Sequence, residues 1–228
     1  MSEIRSVAFI QRRSDISRSA FRRYYEEKHA PFARPQLAGL RHYVRNHVVA
    51  EHGDDAVPFD TISEFEYVDR AALDALLALL DGPAGAAIRE DESHFMHKPG
   101  NSFFGSERRA LGAGTRPAPS LLPKAIALLR TEGRGERQSL AEHAAETADV
   151  LLGQGIARYG ELDTAQPGDP LGRPAWEVLL HLWFDADATA GDTLEDLAQR
   201  LAGEAQVRCL WIDECGEPAP LEAKASRA

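Results

Sequence analysis

The 228-residue sequence is poor in cysteine and in long apolar runs, and each shortage excludes a class of protein. Its only cysteines, Cys209 and Cys215, have an even spacing in a strand-like segment, which places them on one face but too far apart to bond. A disulfide-stabilised fold is therefore excluded. The longest apolar runs, such as the one at 76–80, are far too short to span a bilayer, and the N-terminus has no apolar signal region. We expect a cytoplasmic protein with no membrane partner.

Basic charge is also scarce. The chain carries 26 Lys and Arg against 36 Asp and Glu, a net charge of −10. No nucleic-acid partner is expected, because such a surface needs a clustered basic field. Most of the net negative charge lies in residues 117–228, whereas most histidines lie in residues 1–116. An anionic small molecule would meet less repulsion at the first half, where Arg41 and Arg45 flank a strand that carries histidines.

One helix-to-strand segment, from Phe21 to Val49, holds three of the eight histidines. Ser17 can cap a helix that runs to about residue 30, and the prolines at 31 and 35 are expected to end it. His29 then falls in the last turn, where the helix dipole favours its protonated form. In the strand that follows, from Leu40, the alternation puts residues 42, 44 and 46 on one face and residues 43, 45 and 47 on the other.

Four stretches of the first half carry a resemblance to a known family: YEEKHAP at 25–31, GLRHYVRNH at 39–47, DTISEFE at 60–66 and DESHF at 91–95. Over roughly residues 5 to 107 the chain resembles the EthD family, a branch of the dimeric α+β barrel superfamily. Members of the family include cofactor-free polyketide cyclases, anthrone decarboxylases and a muconolactone isomerase. The resemblance thus implies a small-molecule pocket and a barrel made from two four-stranded sheets.

The same order of predicted strands and helices occurs twice along the chain. A βαββαβ order over residues 1–110 is followed by a Gly/Pro-rich linker at 111–120, and the order starts again in residues 121–228. GLRHY at 39–43 matches GIARY at 155–159, and a later strand of the first half matches its counterpart in the second half. The two matches are separated by nearly the same number of residues, which is typical of a tandem repeat. We therefore predict an α+β fold in which two ferredoxin-like (βαββαβ) halves form an intramolecular pseudo-dimeric α+β barrel. The chain would be a monomer of this kind, or a homodimer through other surfaces.

The predicted catalytic residues are His29, Tyr43 and His47, which could shuttle a proton on a bound substrate. The alternative is structural: His29 caps its helix, Tyr43 packs in the core and His47 is solvated. The second half lacks the His-Ala-Pro sequence and has Asp163 where His47 would be repeated. We therefore expect the first half to be the working half.

The predicted substrate-binding residues are Tyr25, Arg45, Asp60, Glu64 and His94. Glu64 shares a strand face with Asp60; under the helices it could orient a histidine, and otherwise it would face solvent. His94 and His97 are spaced like a metal-ligand pair on a helix, but no third ligand has suitable spacing. No metal and no cofactor are therefore predicted.

The expected function is a cofactor-independent acid/base enzyme acting on a small aromatic, polyketide-like or lactone substrate. The reaction would be that of a cyclase, isomerase, dehydratase or decarboxylase, since a closed apolar pocket with a few proton carriers suffices for it. One alternative is a non-catalytic small-molecule binding or accessory protein. Another is a cofactor-free or haem-dependent oxygenase.

Overall fold

A computed structural model describes residues 4–53, 56–131, 137–166, 175–203 and 205–216. Eight strands are present in this part of the chain: β1 (Ile4–Ile10), β2 (Leu40–His52), β3 (Thr61–Tyr67), β4 (Ser102–Leu111), β5 (Lys124–Thr131), β6 (Ala157–Ala165), β7 (Val178–Phe184) and β8 (Ala205–Gly216).

Helices connect the strands within each half. In the first half they are α1 (Arg18–Tyr24), a π-helical turn (Tyr25–His29), α2 (Ala30–Ala33), a 3-10 turn (Arg34–Gln36), α3 (Arg70–Asp81), a 3-10 turn (Pro83–Gly85), α4 (Ala86–Ser93) and a last 3-10 turn (Lys98–Gly100). In the second half they are α5 (Arg137–Gly153) and α6 (Ala190–Leu201).

The strands form one closed antiparallel barrel in the order β1-β3-β2-β8-β5-β7-β6-β4. The predicted fold, two ferredoxin-like halves with separate sheets packed against each other, is therefore wrong. Strands of one half are neighbours in the ring, but their edges pair with the other half, β2 with β8 and β4 with β6. Edge pairing satisfies the backbone groups that two separate sheets would leave open. The domain limits at 1–110, 111–120 and 121–228 stay a prediction.

The first helical segment starts as predicted and does not end as predicted. Ser17 caps it, since its hydroxyl accepts from the backbone N–H of Ala20 at 3.1 Å. Pro31 does not stop the helix: a π-helical turn lies directly before α2, and the N–H of Ala30 bonds back to the carbonyl of Tyr25. A wider turn accommodates a proline that lacks an N–H and would crowd the carbonyl four residues earlier. His29 is therefore inside a continuous helical segment, so the predicted helix-end dipole effect does not apply.

Side-chain alternation divides the strands between two environments, as predicted for β2. Val48 lies in an apolar core inside the barrel, together with Phe9, Ile62 and Leu128. Tyr43, of opposite parity, packs in a second core between the sheet and the helices of the first half. A third core joins α5 and α6 to the strands of the second half.

Within the described residues no single helix is long and apolar enough to cross a membrane. In this part of the chain one pair, Arg70–Asp81 with Pro83–Ser93, reaches the required length and composition together, and it is bent by 75°.

Candidate functional site

His29 is paired with a carboxylate that is distant in sequence. Its Nδ1 lies 2.7 Å from Oδ2 of Asp91, a residue in the second half of α4. The other carboxylate oxygen of Asp91 accepts a hydrogen bond from the hydroxyl of Tyr24 at 2.8 Å. His29 is only 4% exposed, and its Nε2 makes no hydrogen bond to any residue in the described ranges. A carboxylate on Nδ1 favours the tautomer that leaves Nε2 as a proton acceptor.

Tyr43 belongs to a chain of hydroxyl groups on the helix side of the sheet. Its hydroxyl donates to that of Tyr25 at 2.8 Å, and the Tyr25 hydroxyl lies 3.0 Å from Oγ of Ser63. Burial raises the pKa of Tyr25 to about 12 and raises the pKa of Tyr43 well above its usual value. Both phenols therefore stay neutral near pH 7 and can donate hydrogen bonds.

His47 is paired with Glu26 of the π-helical turn. Its Nε2 lies 2.7 Å from Oε1 of Glu26, and its Nδ1 lies 2.8 Å from Oγ1 of Thr61. Arg45 donates to both carboxylate oxygens of Glu26, at 3.0 and 2.7 Å. Burial opposes the charge of Glu26, but the hydrogen bonds from His47 and Arg45 outweigh it and lower the pKa of Glu26 to about 2. The solvated His47 of the alternative interpretation is wrong, since this residue is 2% exposed.

The ring of Tyr25 joins these groups. Its centroid lies 5.2 Å from that of His29 and 5.8 Å from that of His47, in edge-on contacts. Phe95 covers both Tyr25 and His29, with centroids 5.1 and 5.0 Å away. The structure thus gathers the three predicted catalytic residues around Tyr25, each with its own polar partner.

A groove of about 730 Å³ opens beside α1. Its walls include His47 and Glu26 but not His29 or Tyr43; the lining residues are Arg18, Ser19, Phe21, Arg22, Arg23, Glu26, Glu27, His47, Val48, Val49, Asp60 and Cys215. Among the predicted substrate-binding residues, Asp60 reaches this groove, where it pairs with Arg18 at 2.9 Å.

Two other predicted residues lie elsewhere. Glu64 is inside the barrel, where its Oε2 accepts from Arg108 at 2.6 Å, so it orients none of the histidines of the first half. Its only histidine neighbour in the described structure is His181, whose Nδ1 lies 3.5 Å from Oε1. His94 is exposed and contacts the ring of Tyr24, with centroids 6.2 Å apart.

The barrel interior holds a buried charge network that the sequence interpretation missed. Lys124 bonds Glu214 and Asn46, both at 2.7 Å, and Arg108 pairs with Glu161 and Asp163 besides Glu64. Burial disfavours the ionised carboxyl of Glu64, but Arg108 and Lys124 lower its pKa well below its usual value. Lys124, the first residue of the apolar strand β5, was a local signal for this network.

Glu26 and Asp91 were missed as well, although both stand in the stretches that resemble EthD. Comparison with known families and structures agrees with that resemblance. Residues 13–99 match the EthD domain. A search of curated proteins finds no match.

Solved structures match the chain over nearly its whole length. An anthrone oxidase-like protein has a TM-score of 0.62 at 10% identity, covering 99% of this chain and 97% of the other. A candidate monooxygenase from Lactobacillus acidophilus NCFM gives 0.51 at 12%, covering 96% and 97%. A candidate monooxygenase from Fusobacterium nucleatum subsp. nucleatum gives 0.53 at 11%, covering 95% and 94%. At such identities the likeness concerns the fold alone.

Proposed function

We propose that the protein is a cofactor-independent, oxygen-consuming enzyme that removes a proton from a small aromatic or polyketide-like substrate, with His29 as the base. The observation that carries this proposal is the 2.7 Å pair between His29 Nδ1 and Asp91 Oδ2 at a buried position. A base must first be oriented and then left with a free lone pair, and this pair meets both requirements. The names of the structural neighbours, an anthrone oxidase-like protein and two candidate monooxygenases, favour an oxygen-dependent reaction over a lyase or isomerase reaction.

The surroundings of His29 suit such a substrate. Tyr25 and Phe95 place aromatic rings 5.2 and 5.0 Å from that of His29, and the hydroxyl of Tyr25, which accepts from Tyr43, can donate a hydrogen bond to an oxygen that becomes negative. His29 Nε2 takes the proton of an activated CH2 group. The resulting carbanion reduces O2, so that one CH2 and one O2 give one carbonyl group and one water.

Anthrone is a suitable probe, because its activated CH2 group becomes a quinone carbonyl. The experiment measures O2 uptake and quinone absorbance for the unmodified chain, for His29→Gln and for His52→Gln. We expect His29→Gln to lower turnover by about 100-fold or more. His52 is exposed near the end of β2, so His52→Gln serves as the control and should keep full turnover.

Stability is measured in the same samples, because His29→Gln leaves the half-buried Asp91 with fewer partners and should cost roughly 1–3 kcal/mol. Turnover is then expressed per folded molecule. Anthrone binding without O2 uptake by the unmodified chain would overturn the proposal in favour of the binding-protein alternative. A Soret band in the purified protein would overturn it in favour of a haem-dependent oxygenase.

A further inference from the structure

We propose that Glu26, His47 and Cys215 form a binding site for a divalent cation, Zn²⁺, in the wall of the groove beside α1. One ligand atom from each residue, a carboxylate oxygen, a ring nitrogen and the thiol sulfur, lies within 4.8 Å of the other two. All three residues line the groove. The site is separate from the His29–Asp91 pair, to which it contributes no residue.

Three elements bring these side chains together. Glu26 comes from the π-helical turn, His47 from β2 and Cys215 from β8. Cys215 stands opposite Arg45 in the β2–β8 ladder, so it shares the helix-facing side of the sheet with His47, two residues further along β2. The wide turn at Glu26 lies above this side and supplies the third ligand.

The donor set matches the preferences of Zn²⁺. Imidazole nitrogen, thiolate sulfur and carboxylate oxygen are its usual protein ligands, and three of them with one free position are typical of a zinc site that meets small molecules. A thiolate and a carboxylate together neutralise the charge of the ion. Because the groove borders all three ligands, the free position would face the groove.

Two of the proposed ligands are already oriented by hydrogen bonds of the kind that support zinc ligands in other proteins. The Nδ1 of His47 lies 2.8 Å from Thr61 Oγ1, which can accept its N–H and leave Nε2 for the metal. Oε2 of Glu26 accepts from Arg45 at 2.7 Å, which fixes the carboxylate. Oε1 and Nε2 are 2.7 Å apart and share one hydrogen, whose place the ion would take.

A second grouping in the described structure, Glu64, Asp163 and His181 inside the barrel, is less suited to a cation. Arg108 and Lys124 already pair with its carboxylates. Arg45 pairs with Glu26 at the groove as well, but all three groove ligands border open space, whereas Glu64, Asp163 and His181 are buried inside the barrel. Access for an ion therefore favours the groove.

The test is a titration of the reduced, metal-free protein with Co²⁺, which reports thiolate ligation through a sulfur-to-cobalt charge-transfer band. We expect one Co²⁺ per chain, displaced by Zn²⁺. Cys215→Ser should abolish the band. Cys209→Ala is the matched control, since Cys209 lies on the same strand but is buried in the core of the second half, and the band should persist.

Two further variants test the other contacts. His47→Gln should weaken Co²⁺ binding by at least tenfold, and Thr61→Val by about 10- to 100-fold, because it removes the partner of Nδ1. Circular dichroism shows whether each variant is folded. No stoichiometric Co²⁺ binding, or a charge-transfer band that survives Cys215→Ser, would overturn the site. His29→Gln should leave Co²⁺ binding unchanged, so the failure of this site and the failure of the proposed anthrone reaction are read separately.

Discussion

Arg108 on β4 and Asp163 on β6 face each other in the ladder that joins the two halves of the chain. The Nε of Arg108 lies 3.0 Å from Asp163 Oδ1, and its Nη2 lies 2.6 Å from Oε2 of Glu64 on β3. All three side chains are nearly inaccessible to solvent. One guanidinium thus neutralises carboxylates from both halves at the seam that closes the barrel.

The first prediction concerns this guanidinium. Arg108→Met leaves the buried carboxylate of Asp163 without its guanidinium partner, while Glu64 and Glu161 keep Arg116, and such a loss typically costs about 3–5 kcal/mol. Urea unfolding followed by circular dichroism measures the change in free energy of unfolding. The control is Arg109→Met on the neighbouring, exposed position, which should change it by about 0.5 kcal/mol or less. Equal effects of the two substitutions would show that the network adds nothing to stability.

The sequence predicted which side chains share a face of each strand, but it did not predict that the strands close into one barrel. Alternation along β2 placed Tyr43 and His47 on one side and Asn46 on the other, as observed, because the side-chain period of a strand is local information. The pairing of β2 with β8 joins residues far apart in the chain, such as Arg45 and Cys215, and leaves no local pattern. The expectation of two separate sheets failed for that reason.

The partners of the predicted site residues could not be read from the sequence. His29 was predicted as a helix-end proton carrier; it is buried, and Asp91, with which it pairs, lies 62 positions further along the chain. Proline at 31 indicated a helix end, because the rule for proline is local and does not include a π-helical turn that absorbs the ring. Whether His29, Tyr43 and His47 act in catalysis stays a prediction.

The second prediction concerns the tyrosines at high pH. Burial raises the pKa values of Tyr25, Tyr67 and Tyr159 to about 12, and that of Tyr43 well above its usual value. Unfolded tyrosines ionise near pH 10, so the folded state binds more protons above that pH. The resulting stabilisation is complete below about pH 10 and is lost as the pH rises towards 12.

Tyrosinate absorbance and circular dichroism, recorded together between pH 8 and 13, check this. At pH 11 the folded protein should show little tyrosinate, and the signal should rise together with loss of structure. Ionisation of most of the five tyrosines near pH 10 in a folded protein would contradict the burial of these phenols.

The third prediction separates the two hydrogen bonds of Asp91. Asp91→Asn puts an amide against Nδ1 of His29, and an amide that donates there leaves the proton on Nε2, where the base should be free. Anthrone turnover should fall by about 100-fold or more, since the lone pair on Nε2 is lost. Tyr24→Phe removes only the hydroxyl on the other carboxylate oxygen and should cost roughly tenfold or less. Full turnover in Asp91→Asn would show that the carboxylate of Asp91 is not needed to orient His29.

The last prediction concerns Gly39, which precedes β2 and sets the start of the strand that carries Tyr43. Its φ is +78°, and a Cβ there would lie 2.5 Å from the Cβ of Ala72 on α3. Gly39→Ala should therefore lower the free energy of unfolding by about 2–5 kcal/mol, of which about 1–2 is the left-handed backbone and the rest the contact with the helix.

Gly155 provides a matched control at the equivalent turn of the second half. Its φ is +71°, but an added Cβ would meet nothing within 4 Å, so Gly155→Ala should cost only the backbone share, about 1–2 kcal/mol. Combining Gly39→Ala with Ala72→Gly removes the contact and should recover most of the difference, less about 0.5–1 kcal/mol for glycine in a helix. Denaturant unfolding of the unmodified chain, the two single variants and the double variant measures these differences in free energy of unfolding. Equal losses in Gly39→Ala and Gly155→Ala would mean that α3 does not press on the turn before β2.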